Sequence, residues 1–197
     1  VNGEPALFAS VAESAGLREA VVRLGEAQKG GLVLAGLVAP ARALYVGLLR
    51  LRAGRKIVLV VPDDAAVGAY QRDLAALSPL LGLDPGRIVP LPALDADPYG
   101  GIPPHAEVAR QRVVALGKLA RGEVDVLLLP VRALLGYVPS PEEIASHVRV
   151  LRRGSAVSSD RFVLDAIGCG YRRVDTVSAP GEVSRRGGIV DIFPPEA

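Results

Sequence analysis

Short apolar runs alternate with longer amphipathic stretches through the first two thirds of the chain, and this alternation narrows the fold more than any single residue does. Ile57-Val58-Leu59-Val60-Val61 is a largely β-branched run, long enough for a buried strand and too short for a helix. Pro62 ends it. Asp63 is placed to cap a helix running to about Leu80, with Val67, Tyr70, Leu74 and Leu77 on one stripe. Leu32–Leu34 reads as an earlier strand, followed by a helix over Ala41–Arg52 in which Leu44, Leu48 and Leu51 recur at helical spacing. Arg87–Val89 is a third short strand. Val124–Leu129 is a fourth, alternating so little that burial on both faces is expected. Between these two lie an irregular loop, Leu91–Pro104, with Pro92, Pro98, Pro103 and Pro104, and a helix over His105–Arg121. That helix turns Ala109, Val113, Leu116 and Ala120 inward and stops at Gly122. Repeated strand–helix units predict an α/β fold, a parallel sheet with helices on both sides.

The pattern then shifts. Pro139-Ser140-Pro141 reads as a linker, which divides the chain into domains over 1–139 and 140–197. Ser140 can cap a short helix, with Pro141 at its first position and Glu143 reaching back. Beyond it come a strand at Val148–Leu151 and a helix over Ser159–Ile167. Two strand-like runs follow, Tyr171–Val177 and Val183–Phe193, separated by a turn at Ser178-Ala179-Pro180-Gly181. This reads as a small α+β domain.

Composition sets the outer limits. The chain has 197 residues, half of them hydrophobic, which suffices for one generous domain or one domain plus part of a second. With no Trp or Met and 4% aromatics, the core must be built from Val, Leu, Ile and Ala. Lys and Arg number 23 against 21 acids, too even a balance to argue nucleic-acid binding from bulk charge. One cysteine, Cys169, excludes an internal disulfide and a cysteine-based zinc site and fits a reducing cytoplasm. The most apolar region, Gly30–Leu51, is broken by Pro40, Arg42 and Arg50, whereas a membrane helix needs roughly 20 nearly uninterrupted apolar residues. A cytoplasmic protein with no membrane partner is expected.

Candidate sites for small-molecule chemistry are weak. Leu34–Pro40 sits where a phosphate-binding loop would lie, but a working loop needs several small residues and then Lys and Ser or Thr. Here a single Gly36 is followed by Leu37, Val38 and Pro40, and Lys29-Gly30-Gly31 falls on the wrong side of the apolar run. An ordinary strand-to-helix turn without nucleotide, metal or other cofactor is expected. His105 is read as a capping or packing residue. His147 lies where an imidazole can meet the free carbonyls of a helix end. Asp95, Asp97 and Glu107 are read as solvated loop acids, and Cys169 as a small buried residue at a helix end. No catalytic residue is expected.

The informative stretch is Gly170-Tyr171-Arg172-Arg173-Val174-Asp175-Thr176-Val177, then Gly181-Glu182-Val183-Ser184-Arg185-Arg186-Gly187-Gly188-Ile189-Val190-Asp191-Ile192-Phe193-Pro194. It reads as two strands carrying four arginines, with a glycine pair inside the second that suggests a bulge. Strict alternation would place Arg186 with Val190 and Ile192, and Phe193 with Ile189; a bulge could bring Arg186 and Phe193 onto one surface. Clustered arginine beside an exposable aromatic is the composition of a protein-binding hot spot. Composition alone favours the plainer reading, a solvated sheet face with Phe193 in the core.

The ordered string Gly-Tyr-Arg-Arg-Val-Asp…Gly-Glu…Arg-Gly-Gly-Ile-Val-Asp-Ile-Phe-Pro resembles the signature shared by UvrB and transcription-repair coupling factors. Asp97-Pro98-Tyr99 with Pro104-His105, and Val60-Val61-Pro62-Asp63, extend the likeness over nearly the whole chain, weakest over about residues 1–30. The resemblance implies that 1–139 is a degenerate RecA-like domain. In UvrB the matching domain binds ATP; the Lys and Thr this needs are missing at Gly36–Arg42, which favours the non-catalytic copy in coupling factors. It further implies that 140–197 corresponds to the inserted domain through which both families contact UvrA. By position, Arg172, Arg173, Arg186 and Phe193 would be the partner-binding residues. UvrB-like sequences place the first arginine at Arg173 and coupling factors often at Arg172, so both stand. The chain ends just past the motif, and an incomplete inserted domain is expected. The function so implied is recruitment of UvrA to RNA polymerase stalled at DNA damage, in nucleotide excision repair. ATP, magnesium, RNA polymerase and DNA would be handled by other domains of a parent translocase. The alternatives are a fragment of a UvrB-type damage-recognition helicase, an unrelated α/β small-molecule enzyme with a site near Asp95, Asp97 and His105, and a purely structural domain.

Overall fold

The computed structural model describes residues 13–26, 31–95 and 104–196. The chain divides into two compact units, one formed by Val1–Ala93 with Glu123–Gly136 and one by Leu94–Gly122 with Tyr137–Ala197.

In the first unit, helices α1 (Ala15–Glu26), α2 (Ala39–Ala53) and α3 (Asp64–Leu81) accompany strands β1 (Ile57–Val61), β2 (Ile88–Pro90) and β3 (Val126–Pro130). The sheet is wholly parallel, in the order β1-β3-β2, with Ile57 opposite Val126 and Ile88 opposite Val126. Local signals start and stop these elements. The Asp63 carboxylate accepts the Ala66 N–H at 2.8 Å, and Gly82 closes α3 in the left-handed conformation (φ 66°). Pro40 sits in the first turn of α2, where its missing N–H costs nothing. One face of the sheet packs on α2 and α3 through Ala43, Val61, Val67, Leu74, Ile88, Val126 and Leu128. A second cluster joins Leu17, Leu48 and Leu81. Gly47 permits this helix packing, because a Cβ there would stand 2.6 Å from Leu81 Cδ1.

Three expectations change in this unit. Leu32–Leu34 forms no strand: it has no ladder partner, and Val33 is 89% exposed. β1 is an edge strand rather than a buried one, and its Val58 and Val60 are exposed. The third strand begins at Ile88, because Arg87 belongs to a short 3-10 turn, Pro85–Arg87, capped by Asp84. The central strand β3 is buried throughout, as its unbroken apolar run requires.

In the second unit lie helices α4 (Ala106–Ala120), α5 (Pro141–His147) and α6 (Ser159–Gly168) and a mixed sheet of β4 (Arg172–Arg173), β5 (Glu182–Arg186) and β6 (Ile189–Ile192). β4 runs parallel to β5, and β5 antiparallel to β6. Ser140 Oγ accepts the Glu143 N–H at 3.1 Å and Ser158 Oγ the Arg161 N–H at 3.4 Å, so both short helices start on serine caps. The core of the small sheet is Val163, Ala166 and Val183, with Tyr171, Val190 and Ile192 packed against it.

A boundary at 139 puts α4 in the first domain; by contacts it belongs to the second unit. It packs with α5, and it is tied to the chain's end: Arg110 donates to the Pro195 carbonyl at 2.7 Å, and Arg121 pairs with Glu196 at 2.6 Å. Its inward face is also rotated. Arg112, Ala115 and Gly117 are buried and Val113 is exposed. Val148–Leu151 is not a strand, since no neighbouring backbone pairs with it. The run Tyr171–Val177 keeps only two ladder residues, and Val183–Phe193 splits into a hairpin about Gly187-Gly188. Among the described residues, no helix is long and apolar enough to cross a membrane.

Candidate partner-binding surface

The hairpin decides which side chains stand together. In β5, Glu182, Ser184 and Arg186 point to one face, and Val183 and Arg185 to the other, because strand side chains alternate. Arg186 lies opposite Ile189 and Ser184 opposite Asp191. Arg172 lies beside Glu182, and Arg173 beside Val183. One face therefore carries Arg172, Glu182, Ser184, Arg186, Ile189 and Asp191; the other holds the α6-facing core. A two-residue turn, not a bulge, achieves this. Gly187 has φ 61°, the positive value that a two-residue hairpin loop with glycine first requires. Val190 and Ile192 thus fall on the core face, away from Arg186, which reverses the order expected from an uninterrupted strand.

The four sequence candidates divide accordingly. Arg172 and Arg186 share a face, about 13 Å apart along β5 by strand rise. Arg173 is exposed but registers with the opposite face. Phe193 is half-buried one step beyond β6, in register with Glu182: its N–H donates to the Glu182 carbonyl at 3.0 Å, and its own carbonyl accepts from Gly181 at 2.9 Å. An open groove beside the hairpin is lined by Thr176, Val177, Arg186 and Asp191, among others.

Three of the four arginines on this sheet are held by acids. Arg186 pairs with Asp191 at 2.9 Å, and Arg185 with Asp160. Arg172 pairs at 2.5 Å with Glu182, whose side chain is only 6% exposed. Glu182 is the residue that sequence reasoning missed. Its carboxylate also accepts the N–H groups of Ser178 (2.8 Å) and Ala179 (3.0 Å) and the Ser178 hydroxyl (3.1 Å), so it organises the turn between β4 and β5. The Ser178 N–H, then Arg172 and the Ala179 N–H, hold its pKa down at about 2 against an ordinary 4.5. The available signal was an acid beside a turn and within reach of an arginine-rich run, since a buried carboxylate demands such partners.

The other candidates among the described residues make local contacts. His105 caps α4, its Nδ1 accepting the Glu107 N–H at 3.3 Å while its own N–H donates to Asp95 at 3.1 Å. Glu107 is held by Arg110 and Gln111, which lower its pKa to about 2. Asp97 lies outside the described residues. His147 Nδ1 stands 2.8 Å from the Glu143 carbonyl. Cys169 is exposed rather than buried, because it sits past the last turn of α6. At Gly36 (φ 80°) the chain turns into α2, whose cap residue Val38 offers no side-chain hydrogen bond. In the first unit Arg50 and Arg87 converge on Asp125, at 2.8 and 3.0 Å. Burial opposes the Asp125 charge, but the hydrogen bonds from Arg87 and Arg50 prevail and hold the carboxyl below its usual range.

Comparison with known proteins bears on this second sheet directly. A family model described as the UvrB interaction domain matches residues 150–197, the span that contains α6 and all three strands. The transcription-repair-coupling factor of Bacillus subtilis (strain 168) is 28% identical over 162 residues, which is 82% of this chain and 13% of that protein. The transcription-repair-coupling factors of Escherichia coli (strain K12) and Haemophilus influenzae are 27% and 26% identical over 82% of this chain and 14% of theirs. The chain is a distant homologue of transcription-repair-coupling factors. It spans 13–14% of the length of these relatives. Arg172, Arg173, Arg186 and Phe193 all lie inside the matched interaction domain, as does Glu182.

Proposed function

We propose that this chain is a non-catalytic recruitment module of a transcription-repair coupling factor, and that its second unit binds UvrA. The observation that carries this reading is a coincidence of place: the interaction-domain match falls on the hairpin sheet that displays Arg172 and Arg186 on one face. Guanidinium groups on a rigid hairpin form charge-assisted hydrogen bonds to carboxylates of a partner with little further ordering. Arg186 is the principal contact, with its side chain 68% exposed and steadied by Asp191. Arg172 contributes from the same face, and its seat on Glu182 fixes its direction. Arg173 and Phe193 extend the contact. In a longer parent, an ATP-driven motor acting on DNA would displace RNA polymerase stalled at damage in the cytoplasm. This module would then bring excision repair to the site.

The test is binding of purified UvrA to the chain by calorimetry. Arg186→Ala, checked for an unchanged circular dichroism spectrum, weakens binding by about 1–3 kcal/mol, the range of an interfacial hot-spot arginine. Equal affinity in the folded variant removes Arg186 from the interface. Failure of the unaltered chain to bind UvrA refutes the recruitment reading.

A further inference from the structure

Of the arginines that sequence reasoning singled out, Arg172 and Arg186 are neutralised within the unit, while Arg173 is exposed and makes no ion pair or side-chain hydrogen bond among the described residues. Arg161, Arg172, Arg185 and Arg186 each have a carboxylate partner. Arg152 and Arg153 do not: among the described residues neither makes a side-chain hydrogen bond or ion pair, and both are exposed. They lie just past the expected strand Val148–Leu151, in a segment, residues 148–157, that contains three arginines and no acid. The nearest acid in sequence, Asp160, is already engaged by Arg185.

The segment has local order. Ser155 N–H donates to the Arg152 carbonyl at 3.0 Å, and Gly154 takes φ 86°, so a tight turn presents Arg152 and Arg153. Arg149 is steadied by the Ser146 carbonyl at 2.7 Å. At its start the segment is tied to the end of α6, where Cys169 Sγ lies 4.0 Å from the His147 carbonyl, three residues before β4. Its apolar side chains face water: Val150 is 76% exposed and Leu151 55%. The matched interaction domain begins at residue 150, so Arg152 and Arg153 fall within it.

We infer that Arg152 and Arg153 form a steering contact for an acidic protein surface, separate from the hairpin and acting before it docks. The inference rests on the UvrA reading, with UvrA as the protein that carries the acidic surface. Unpaired charges dominate the long-range field of a surface, because a cation already beside its own carboxylate presents little more than a dipole at a distance. Charges at the margin of an interface change mainly the association rate and its salt dependence. The interleaved Val148, Val150 and Leu151 favour a protein partner over a nucleic acid. Phosphate binding has no use for exposed aliphatics, and the segment has no aromatic side chain on which a base could stack.

The experiment measures association and dissociation rates of purified UvrA with the chain and with an R152E/R153E variant, at low and high ionic strength. Both positions are exposed, and circular dichroism checks the fold. At low ionic strength the variant associates roughly tenfold more slowly, with an unchanged dissociation rate. The gap closes at high salt, where the screening length falls to about 3 Å. If the unaltered chain binds UvrA and the variant associates equally fast, steering is overturned while recruitment stands. If the unaltered chain does not bind UvrA, both readings fall. A variant that changes only dissociation places these arginines inside the contact and also overturns steering. So does one that leaves UvrA kinetics intact but loses binding to mixed-sequence duplex DNA.

Discussion

Glu182 is a buried carboxylate whose charge the second unit holds in place. Its carboxylate is buried and receives two backbone amides, a hydroxyl and a guanidinium. Its pKa is depressed in the folded state, from 4.5 to about 2. The charged form is therefore the stabilising one. Its contribution is complete above about pH 4.5 and is lost as the pH falls towards 2. Glu182→Gln accordingly melts at a lower temperature than the unaltered chain at pH 7, and the difference shrinks between pH 4.5 and 2, read by circular dichroism melts across that range. A difference that stays constant with pH would mean that the amide replaces shape but the charge is irrelevant. The same residue shows how far site chemistry can be read in advance. Arg172 and Arg186 are visible as a cluster in the sequence, but the acids that hold them are not, because pairing depends on register between strands.

The hairpin turn is the feature of secondary structure on which the candidate site depends. Gly187 adopts a left-handed φ, whereas Gly188 lies outside that region, and a Cβ at either position would meet open space. Any cost of substitution is thus conformational rather than steric. Gly187→Val destabilises the second unit by about 1–2 kcal/mol, the penalty of a left-handed φ for an L residue. Gly188→Ala is neutral or stabilising by up to roughly 0.5 kcal/mol, because it removes freedom from the unfolded chain. Chemical denaturation followed by circular dichroism separates the two. Equal costs would contradict the turn geometry and with it the placement of Arg186 beside Ile189. The strand alternation rule was sound here; the misreading came from counting through the glycines as though the strand continued. Reversing direction at Gly187-Gly188 moves Val190 and Ile192 to the α6 side, where Val183 waits for them.

Across the whole molecule, burial is concentrated in β3 and thins out towards the segment before α6. Val126, Leu128 and Leu129 are at most 2% exposed on a strand paired on both edges, while Val150 and Leu151 stand in water without ladder bonds. Amide hydrogen exchange should therefore be slowest at 127–129 and fastest at 150–153 among the described residues. Comparable rates in the two segments would show that the parallel sheet is not the stable centre of the first unit. Much of the architecture was legible from residues alone, for reasons of short range. Asp63, Ser140 and Ser158 cap helices by reaching three residues along the chain, glycines stop helices by their own φ, and an unbroken β-branched run prefers extended backbone wherever it lies. The likeness to the coupling factors was legible too, since it resides in an ordered string of residues. Other outcomes were set only in three dimensions. Val58 and Val60 are exposed because β1 came to lie at a sheet edge. Leu32–Leu34 and Val148–Leu151 stayed out of any sheet because no strand came alongside. α4 turned Arg112 inward, and Arg50 met Asp125 across 75 residues. A ladder or an ion pair needs a second strand or side chain, often brought from far along the chain, and composition at one site carries no record of what arrives beside it.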